Sequence, residues 1–324
     1  MPRYLAILIA GLISFQACAT DWEKYPEDLP SFSFEGERLQ QEWSSLTSVT
    51  KVDFPDEAWL KEMMVTYPRL AHRMMVDGSK PDSHPAIFNA IQNSDYAPLA
   101  AELQQVWRLH FSGEFEKAYE HGMALGTFGE IPAIYSRLIH ATLLVEDDDE
   151  KMEEFQRAAE QSNEGLTLVP EYPFAEFGLV YAKVRMLELM STGEARSSGY
   201  ISIAQDKLEK LRKKYPERAA YPLTNGGLQA GIVERIGSFL GSITYGATES
   251  NADDDFKQAL KLVSDMPLIY NEAAVGYARL DADDFRKKIL KLLNTCVQLE
   301  PVSAEEALNQ HHCAQMLNEM TKDK

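Results

Sequence analysis

One stretch of this chain restricts its possible folds more than any other, because it places small residues at a spacing that suits a tightly packed helix. Ala252, Phe256, Ala259, Leu260 and Leu262 are predicted to lie on one narrow stripe of a helix with 3.6 residues per turn. The alanines in this stripe let a second helix approach closely, and the larger apolar residues pack against it. The stretch therefore predicts one member of an antiparallel helix pair, and with it an all-α fold.

The same two-helix rhythm extends over most of the chain. It begins at a predicted turn around Gly113, and no alternating run of β-branched residues is long enough to predict a strand. The predicted pairs join 133–145 with 151–168, 174–190 with 201–214, 228–245 with 256–263, and 269–280 with 285–299. A last helix, started by a Ser303-x-x-Glu306 capping box, is expected to close the stack with an exposed polar face.

These patterns divide the chain into three parts. Residues 1–19 are predicted to be a signal peptide. Residues 20–55 are predicted to be an irregular arm with a short helix near 37–46 and aromatic side chains that dock on the helices; a free tail is the alternative. Residues 56–324 are predicted to form an α-solenoid. It comprises atypical helices in 56–95, with Asp56 as an N-cap, degenerate helix pairs in 96–301, and a capping helix in 302–324.

The first residues indicate export. Arg3 precedes an apolar run from Tyr4 to Phe15, and Ala17 and Ala19 form a small-x-small cleavage site. The apolar run is shorter than the ~20 residues that a membrane span needs, so no transmembrane segment is expected in the mature chain. Cleavage after Ala19 would give a periplasmic or secreted protein. Cleavage before Cys18 would instead give a lipoprotein of the cell envelope, and the two alternatives stay open.

The charge of the chain argues against nucleic acid as a partner. Its 50 acidic and 32 basic residues give a net charge of −18, whereas contact with phosphates requires a basic face. The single basic run, between Lys207 and Lys214, is interpreted as the cationic end of a helix. We therefore expect a protein partner in the cell envelope, or a small solute.

The two cysteines beyond the predicted signal peptide are expected to stay free. A hairpin centred near Pro301 places Cys296 opposite about residue 307. Cys313 would then lie roughly 9 Å further along the helix, which is too far for a disulfide. Two buried thiols are the prediction.

At this point the chain resembles a tetratricopeptide-repeat protein, most clearly over 228–301, where Pro267 and Pro301 are 34 residues apart. The segments 240–247, 256–262 and 269–278 are similar to exported bacterial proteins related to the TRAP-transporter T-component family. That resemblance implies an all-helical repeat protein that acts as an adaptor or passes a ligand to a partner. Ile289 and Cys296 stand where the repeat family prefers alanine.

Four glycines in the predicted helix 228–245 and just before it need an explanation, since each interior glycine costs a helix about 1 kcal/mol. They are Gly227, Gly231, Gly237 and Gly241. One explanation is the close approach of a neighbouring helix. The other is a cleft for a small ligand, left open by the missing side chains, with Glu234, Arg235 and Tyr245 near its wall.

The sequence offers little support for catalysis or for a bound metal or cofactor. Acidic clusters at 146–150, 253–255 and 281–284 precede predicted second helices, where helix capping is their simplest role and a docking ridge the alternative. His311, His312 and Cys313 are consecutive, so they diverge around a helix and cannot converge on one ion. No nucleophile elbow, phosphate loop or zinc-protease motif occurs. We therefore predict a non-enzymatic protein.

The predicted function is a scaffold or adaptor that binds a protein partner on a concave face formed by the first helices of each pair. Those helices contain the predicted contact residues Trp107, Tyr181, Arg185, Asn271 and Tyr277. The alternative is an accessory protein of a solute transporter that binds a small ligand in the cleft beside 228–245. An enclosed space there would favour the alternative.

Overall fold

A computed structural model describes residues 22–322, and all regular structure in that range is helical. The predicted signal peptide, with both of its cleavage sites, lies outside the described residues. The helices are α1 (Arg38–Leu46), α2 (Glu57–Thr66), α3 (Pro68–Gly78), α4 (Pro85–Gln92), α5 (Ala97–Phe111), α6 (Phe115–Ala124), α7 (Thr127–Leu143), α8 (Asp148–Leu166), α9 (Pro173–Leu189), α10 (Thr192–Ser198), α11 (Tyr200–Lys214), α12 (Ala220–Tyr245), α13 (Glu249–Leu262), α14 (Pro267–Asp281), α15 (Arg286–Cys296) and α16 (Ala304–Lys322). None of them is long and apolar enough to cross a membrane.

Local signals account for several helix starts. Asp56 accepts a hydrogen bond from the Trp59 amide at 2.8 Å, as predicted for an N-cap. Pro68 and Pro267 each occupy the first turn of a helix, where the missing amide hydrogen is not needed. Asp147 caps α8. Asp281 accepts hydrogen bonds from the Asp283 and Asp284 amides in the turn before α15, and α15 itself has no side-chain N-cap. Capping of a second helix is therefore confirmed only for the cluster at 146–150.

The acidic cluster at 253–255 does not cap a helix, which also corrects the prediction. Thr248 caps α13, which begins several residues earlier than expected. As a result, 253–255 lie inside that helix and bind cations of neighbouring helices. Asp255 pairs with Arg212 of α11 at 2.7 Å, and Asp253 pairs with Lys288 of α15 at 2.6 Å. These carboxylates join helices instead of starting one.

The stripe of α13 is buried almost as predicted. Ala252, Phe256 and Ala259 are fully buried, whereas Leu262 is 37% exposed. Val263, seven residues after Phe256 and thus nearly two full turns on, takes its place in the core. Placing Leu262 on the stripe was wrong because six residues correspond to a rotation well away from the Phe256 face.

Six helices form a closed sequence of contacts. α5 packs on α7, α7 on α9, α9 on α12, α12 on α14 and α14 on α16, and α16 returns to α5 and α7. Helices α6, α8, α11, α13 and α15 pack against this set from neighbouring positions in the chain, and α10 packs against α11. The contacts of α16 with α5 and α7, which are distant from it in sequence, therefore close this series of helix contacts.

The first half of α16 is buried, which contradicts the exposed capping face predicted for it. Ala304 to Asn309 are at most 5% exposed. Glu305 lies 3.3 Å from His110 of α5 and accepts a hydrogen bond from Tyr135 of α7 at 3.1 Å, and Asn309 accepts one from Asn271 of α14 at 3.0 Å. The polar residues of α16 bind other helices, which composition alone could not distinguish from exposure to water.

The predicted capping box forms only in part. The Ser303 hydroxyl accepts a hydrogen bond from the Glu306 amide at 3.3 Å. The Glu306 carboxyl group, however, accepts a hydrogen bond from the Leu268 amide at 2.9 Å and so caps α14 instead of its own helix. Burial, followed by the charge of Glu305, raises the pKa of Glu306 to about 8.

Cys296 and Cys313 form a disulfide, so the prediction of free thiols was wrong. Their Cα atoms are 6.3 Å apart, within bonding range. α15 ends at Cys296, and seven residues without helix precede α16. The two helices therefore do not form the symmetric hairpin that was assumed. Gln310 also reaches the Cys296 carbonyl, at 3.3 Å, so the part of α16 around 310–313 faces the end of α15.

The described part of the N-terminal arm docks on the helices, in agreement with the first of the two predictions for it. Phe34 and Trp43 are buried, and the Trp43 indole donates a hydrogen bond to the Val52 carbonyl at 2.8 Å. Trp22 lies against the His140 ring with centroids 4.3 Å apart. The arm also reaches α12, whose Ala220 amide binds the Val49 carbonyl at 3.1 Å.

Candidate functional site

The glycine-rich helix α12 is broken near its C-terminal end. Gly237 has φ +77° and ψ 156°, a conformation open essentially to glycine alone, and separates 220–236 from 238–245. The shorter segment leaves Phe239, Leu240 and Ile243 exposed. α12 thus consists of a buried first part and a short, largely solvent-exposed second part.

Two glycines make room for an aromatic ring. A Cβ added to Gly226 of α12 would lie 2.7 Å from the Phe256 ring, and one added to Gly276 of α14 would also overlap that ring. Phe256 of α13 therefore packs directly on the backbones of two other helices. The predicted close approach of helices does occur, but at Gly226 and Gly276 and not at the four glycines named in the sequence analysis.

Gly231 and Gly227 have different surroundings. A Cβ added to Gly231 would lie 2.8 Å from an Arg279 guanidinium nitrogen, so the missing side chain lets this arginine cross α12. A Cβ added to Gly227 would meet nothing within 4 Å. Both glycines line an open groove, hereafter the α12 groove.

The α12 groove lies between α9, α10, α11, α12 and the Arg279 side chain of α14. Its walls are mostly apolar. The apolar lining residues are Val184, Leu187, Ala195, Ile201, Leu228, Ile232, Ile236 and Tyr245. The empty space between them is about 440 Å³, open solvent included, around a cavity of about 30 Å³. That cavity holds about two water molecules, so a larger ligand must lie along the open part of the groove or push its walls apart.

A chain of ion pairs forms one border of the α12 groove. Glu188 of α9 accepts hydrogen bonds from Arg185 at 3.0 Å and from Arg279 at 2.7 Å. Arg279 also binds Glu234 at 2.9 Å, and Arg185 also pairs with Glu272 of α14. Burial opposes ionisation of Glu188, but the two arginines outweigh it and hold the pKa of Glu188 below its ordinary value. Together these four ion pairs fix α9, α12 and α14 relative to one another.

Two further arginines line the α12 groove without an ion-pair partner among residues 22–322. They are Arg196 of α10, which is exposed, and Arg235 of α12, which is half-buried. Burial and then the nearby charge of Arg279 lower the pKa of Arg235. The groove therefore combines apolar walls with two arginines that form no ion pair with a described residue, although the charges of Glu234 and Glu188 act on Arg235.

The structure brings some of the predicted site residues together and separates others. Glu234, Arg235 and Tyr245 lie at or beside the α12 groove, and Arg185 contacts its wall through Glu188. Tyr181 accepts a hydrogen bond from Arg185 at 2.9 Å but lines a second recess, nearer the N-terminal end of α9. Glu188, Arg196 and Arg279 were not predicted. The i, i+3 spacing of Arg185 and Glu188 was a usable signal, whereas the pairing with Arg279 depends on tertiary contacts.

Three predicted contact residues lie in the interior. Trp107 is 4% exposed and stacks on Phe111 with ring centroids 5.4 Å apart. Asn271 is buried against Asn309, and the Tyr277 hydroxyl donates to Asp253 at 2.7 Å. Their side chains hold helices together and offer almost no surface to a partner.

The second recess lies between α7, α9, α12, α14 and α16 and adjoins a buried polar cluster. There the His110 ring is 3.1 Å from the Ser136 hydroxyl and 3.3 Å from Glu305. This arrangement of Ser136, His110 and Glu305 resembles a catalytic nucleophile with its base. However, Ser136 and His110 are 0% exposed, and the Ser136 hydroxyl donates a hydrogen bond to the Pro132 carbonyl at 3.0 Å. A substrate could not reach this serine, so the cluster is assigned to packing.

No group of three or more side chains in the described range is arranged to hold a metal ion. No protein-family model matches the sequence, and no curated protein matches it.

Proposed function

We propose that this protein is an exported, non-enzymatic helical-repeat protein that binds a small molecule in the α12 groove. The helix pairs belong, in this proposal, to a tetratricopeptide-like solenoid whose first helices are α5, α7, α9, α12 and α14. The order of helix contacts along the chain supports that arrangement. A role beside a solute transporter, as in proteins related to the T-component family, is part of the same proposal.

The observation that supports ligand binding most directly is the open space at Gly227. This residue lines the groove, and no neighbour occupies the space that a side chain would take there, whereas Arg279 fills the corresponding space at Gly231. A helix that gives up about 1 kcal/mol at this position without a packing reason fits a site kept open for a ligand. Ligand sites of this kind are concave and largely apolar, with a few polar groups.

The proposal is tested with the neutral apolar fluorophore N-phenyl-1-naphthylamine. We expect saturable binding to the wild-type protein, and a dissociation constant at least about tenfold higher for Gly227→Leu, equivalent to about 1.4 kcal/mol. The new side chain would enter the groove from a position where a Cβ meets nothing within 4 Å. Gly165→Leu is the matched control, since Gly165 lies inside α8 and also has nothing within 4 Å. Equal affinity for wild type and Gly227→Leu would show that the dye does not use the groove, and would overturn the proposal.

An adaptor function is the second proposal, and one observation favours it. Phe239 and Ile243 are 76% and 70% exposed and lie one turn apart on 238–245, so they form a small apolar face. If this face binds an envelope protein, a photo-crosslinker at Ser242 should capture it, and Phe239→Ser with Ile243→Ser should abolish capture. Gly227→Leu should leave capture unchanged. Capture that persists in the double serine variant would exclude this face as the docking site.

A further inference from the structure

The charges of the α12 groove indicate what kind of molecule it binds. Building on the proposed ligand-binding role, we propose that the ligand is an apolar molecule with one anionic group, which Arg235 and Arg196 hold at one end of the groove. The chemical class is an alkyl carboxylate, sulfate or phosphate. The apolar body would lie over Gly227, beside the Arg279 side chain that crosses α12 at Gly231.

The two arginines stand out against the rest of the chain. With 50 acidic and 32 basic residues, a cation has many carboxylates available. Arg185 and Arg279, in the same region, each bind two of them. Arg235 and Arg196 bind none within the described range, although both line the groove. A positive pair left unmatched in so acidic a protein is what recognition of an anion requires.

The half-burial of Arg235 strengthens this assignment. A guanidinium held partly out of water loses hydration, and an anion that binds it restores the lost interaction. The lowered pKa of Arg235 reflects the same loss of hydration and the nearby Arg279 charge. Guanidinium groups bind carboxylates and phosphates through two parallel hydrogen bonds, so an anionic group is a better partner here than a neutral one.

Helix geometry places the apolar and the charged parts of the site in line. Gly227, Gly231 and Arg235 are spaced four residues apart and so follow one face of α12. The rise from the first to the last is about 12 Å, comparable to a medium alkyl chain. Leu187 of α9 and Ile201 of α11 contribute apolar side chains to the groove wall.

Four compounds test the proposal by calorimetry with the full protein: sodium octanoate, 1-octanol, octylamine and inorganic phosphate. We expect octanoate to bind roughly tenfold or more tightly than 1-octanol, because a hydrogen bond to a charged group contributes about 1.5–3 kcal/mol. Octylamine should bind most weakly of the three octyl compounds, and phosphate should not bind measurably. Octyl sulfate, added in a second series, distinguishes a general anion site from one restricted to carboxylates.

Two variants connect the result to the residues. Arg235→Gln should remove most of the preference of octanoate over 1-octanol while leaving the affinity for 1-octanol within about twofold. Arg38→Gln, at a distant exposed arginine of α1, is the control for the change in net charge. Equal affinities for octanoate and 1-octanol would overturn the anionic ligand and leave the binding role of the groove standing. Binding of no octyl compound, or tightest binding of octylamine, would also overturn it.

Phosphate binding as tight as that of octanoate would count against the apolar half of the proposal. Failure of the binding role itself has a separate signature, since it is measured by the response of the neutral dye to Gly227→Leu. The two proposals can therefore fail independently.

Discussion

Replacing Phe256 with alanine is expected to lower the free energy of unfolding by about 3–5 kcal/mol, measured by urea denaturation. The side chain is fully buried and lies against the backbones of α12 and α14 at Gly226 and Gly276. Its ring also contacts Tyr277, with centroids 5.0 Å apart. Alanine would leave a cavity shared by three helices, and rigid helix backbones cannot close such a cavity fully.

The glycines allow a sharper version of this experiment. Gly276→Ala alone should destabilise the protein, because its Cβ would overlap the Phe256 ring. In the Phe256→Ala background the same methyl group should be neutral or stabilising, since it enters the cavity and improves helix propensity. Phe239→Ala, at a side chain that is 76% exposed, should change stability by less than about 0.5 kcal/mol. Additive effects of Phe256→Ala and Gly276→Ala would contradict the contact.

The stability of the protein should fall as pH rises from about 4.5 to about 8, in part through Glu306. Its pKa is raised from 4.5 to about 8 in the folded state, so between these values the folded protein holds a proton that the unfolded chain has lost. Stability is therefore highest below the unfolded pKa and decreases until the folded pKa is passed, by on the order of a few kcal/mol. Urea titrations at pH 5 and pH 9 measure the difference.

Glu306→Gln should remove this contribution. Glutamine keeps an oxygen that can accept the hydrogen bond from the Leu268 amide but cannot ionise. We expect the variant to match the wild type near pH 5 and to be more stable at pH 9. Glu319→Gln, at an exposed position further along α16, should leave the pH dependence unchanged. A variant with the same pH dependence as the wild type would place the titration elsewhere.

Helical periodicity predicted the fold class and most helices, because it records which faces are apolar. The helices α8, α9, α14 and α15 lie close to their predicted ranges. The helix α10 was missed although Ser191 and Glu194 form a complete capping box, a signal that was present in the sequence. With only seven residues, α10 is too short to show a period.

The site was less predictable than the fold. The glycines of α12 indicated a cleft or a close contact, and both occur, but nothing local distinguishes Gly226 beside a ring from Gly227 beside open space. Arg235 and Glu234 are adjacent in sequence, yet Glu234 pairs with Arg279 and Arg235 pairs with no described residue. Such differences depend on which distant helix lies opposite, and a single sequence does not contain that information in readable form.

The return of α16 to α5 and α7 has a consequence for how this architecture can evolve. An open array of helix pairs can gain or lose a unit at little cost, because each unit contacts only its neighbours. Here an added pair would carry α16 past its partners and leave Glu305 and Asn309 buried without their hydrogen bonds. The number of helices is therefore fixed by closure, as strand number is in a β-barrel, and variation in length is expected to be confined to loops.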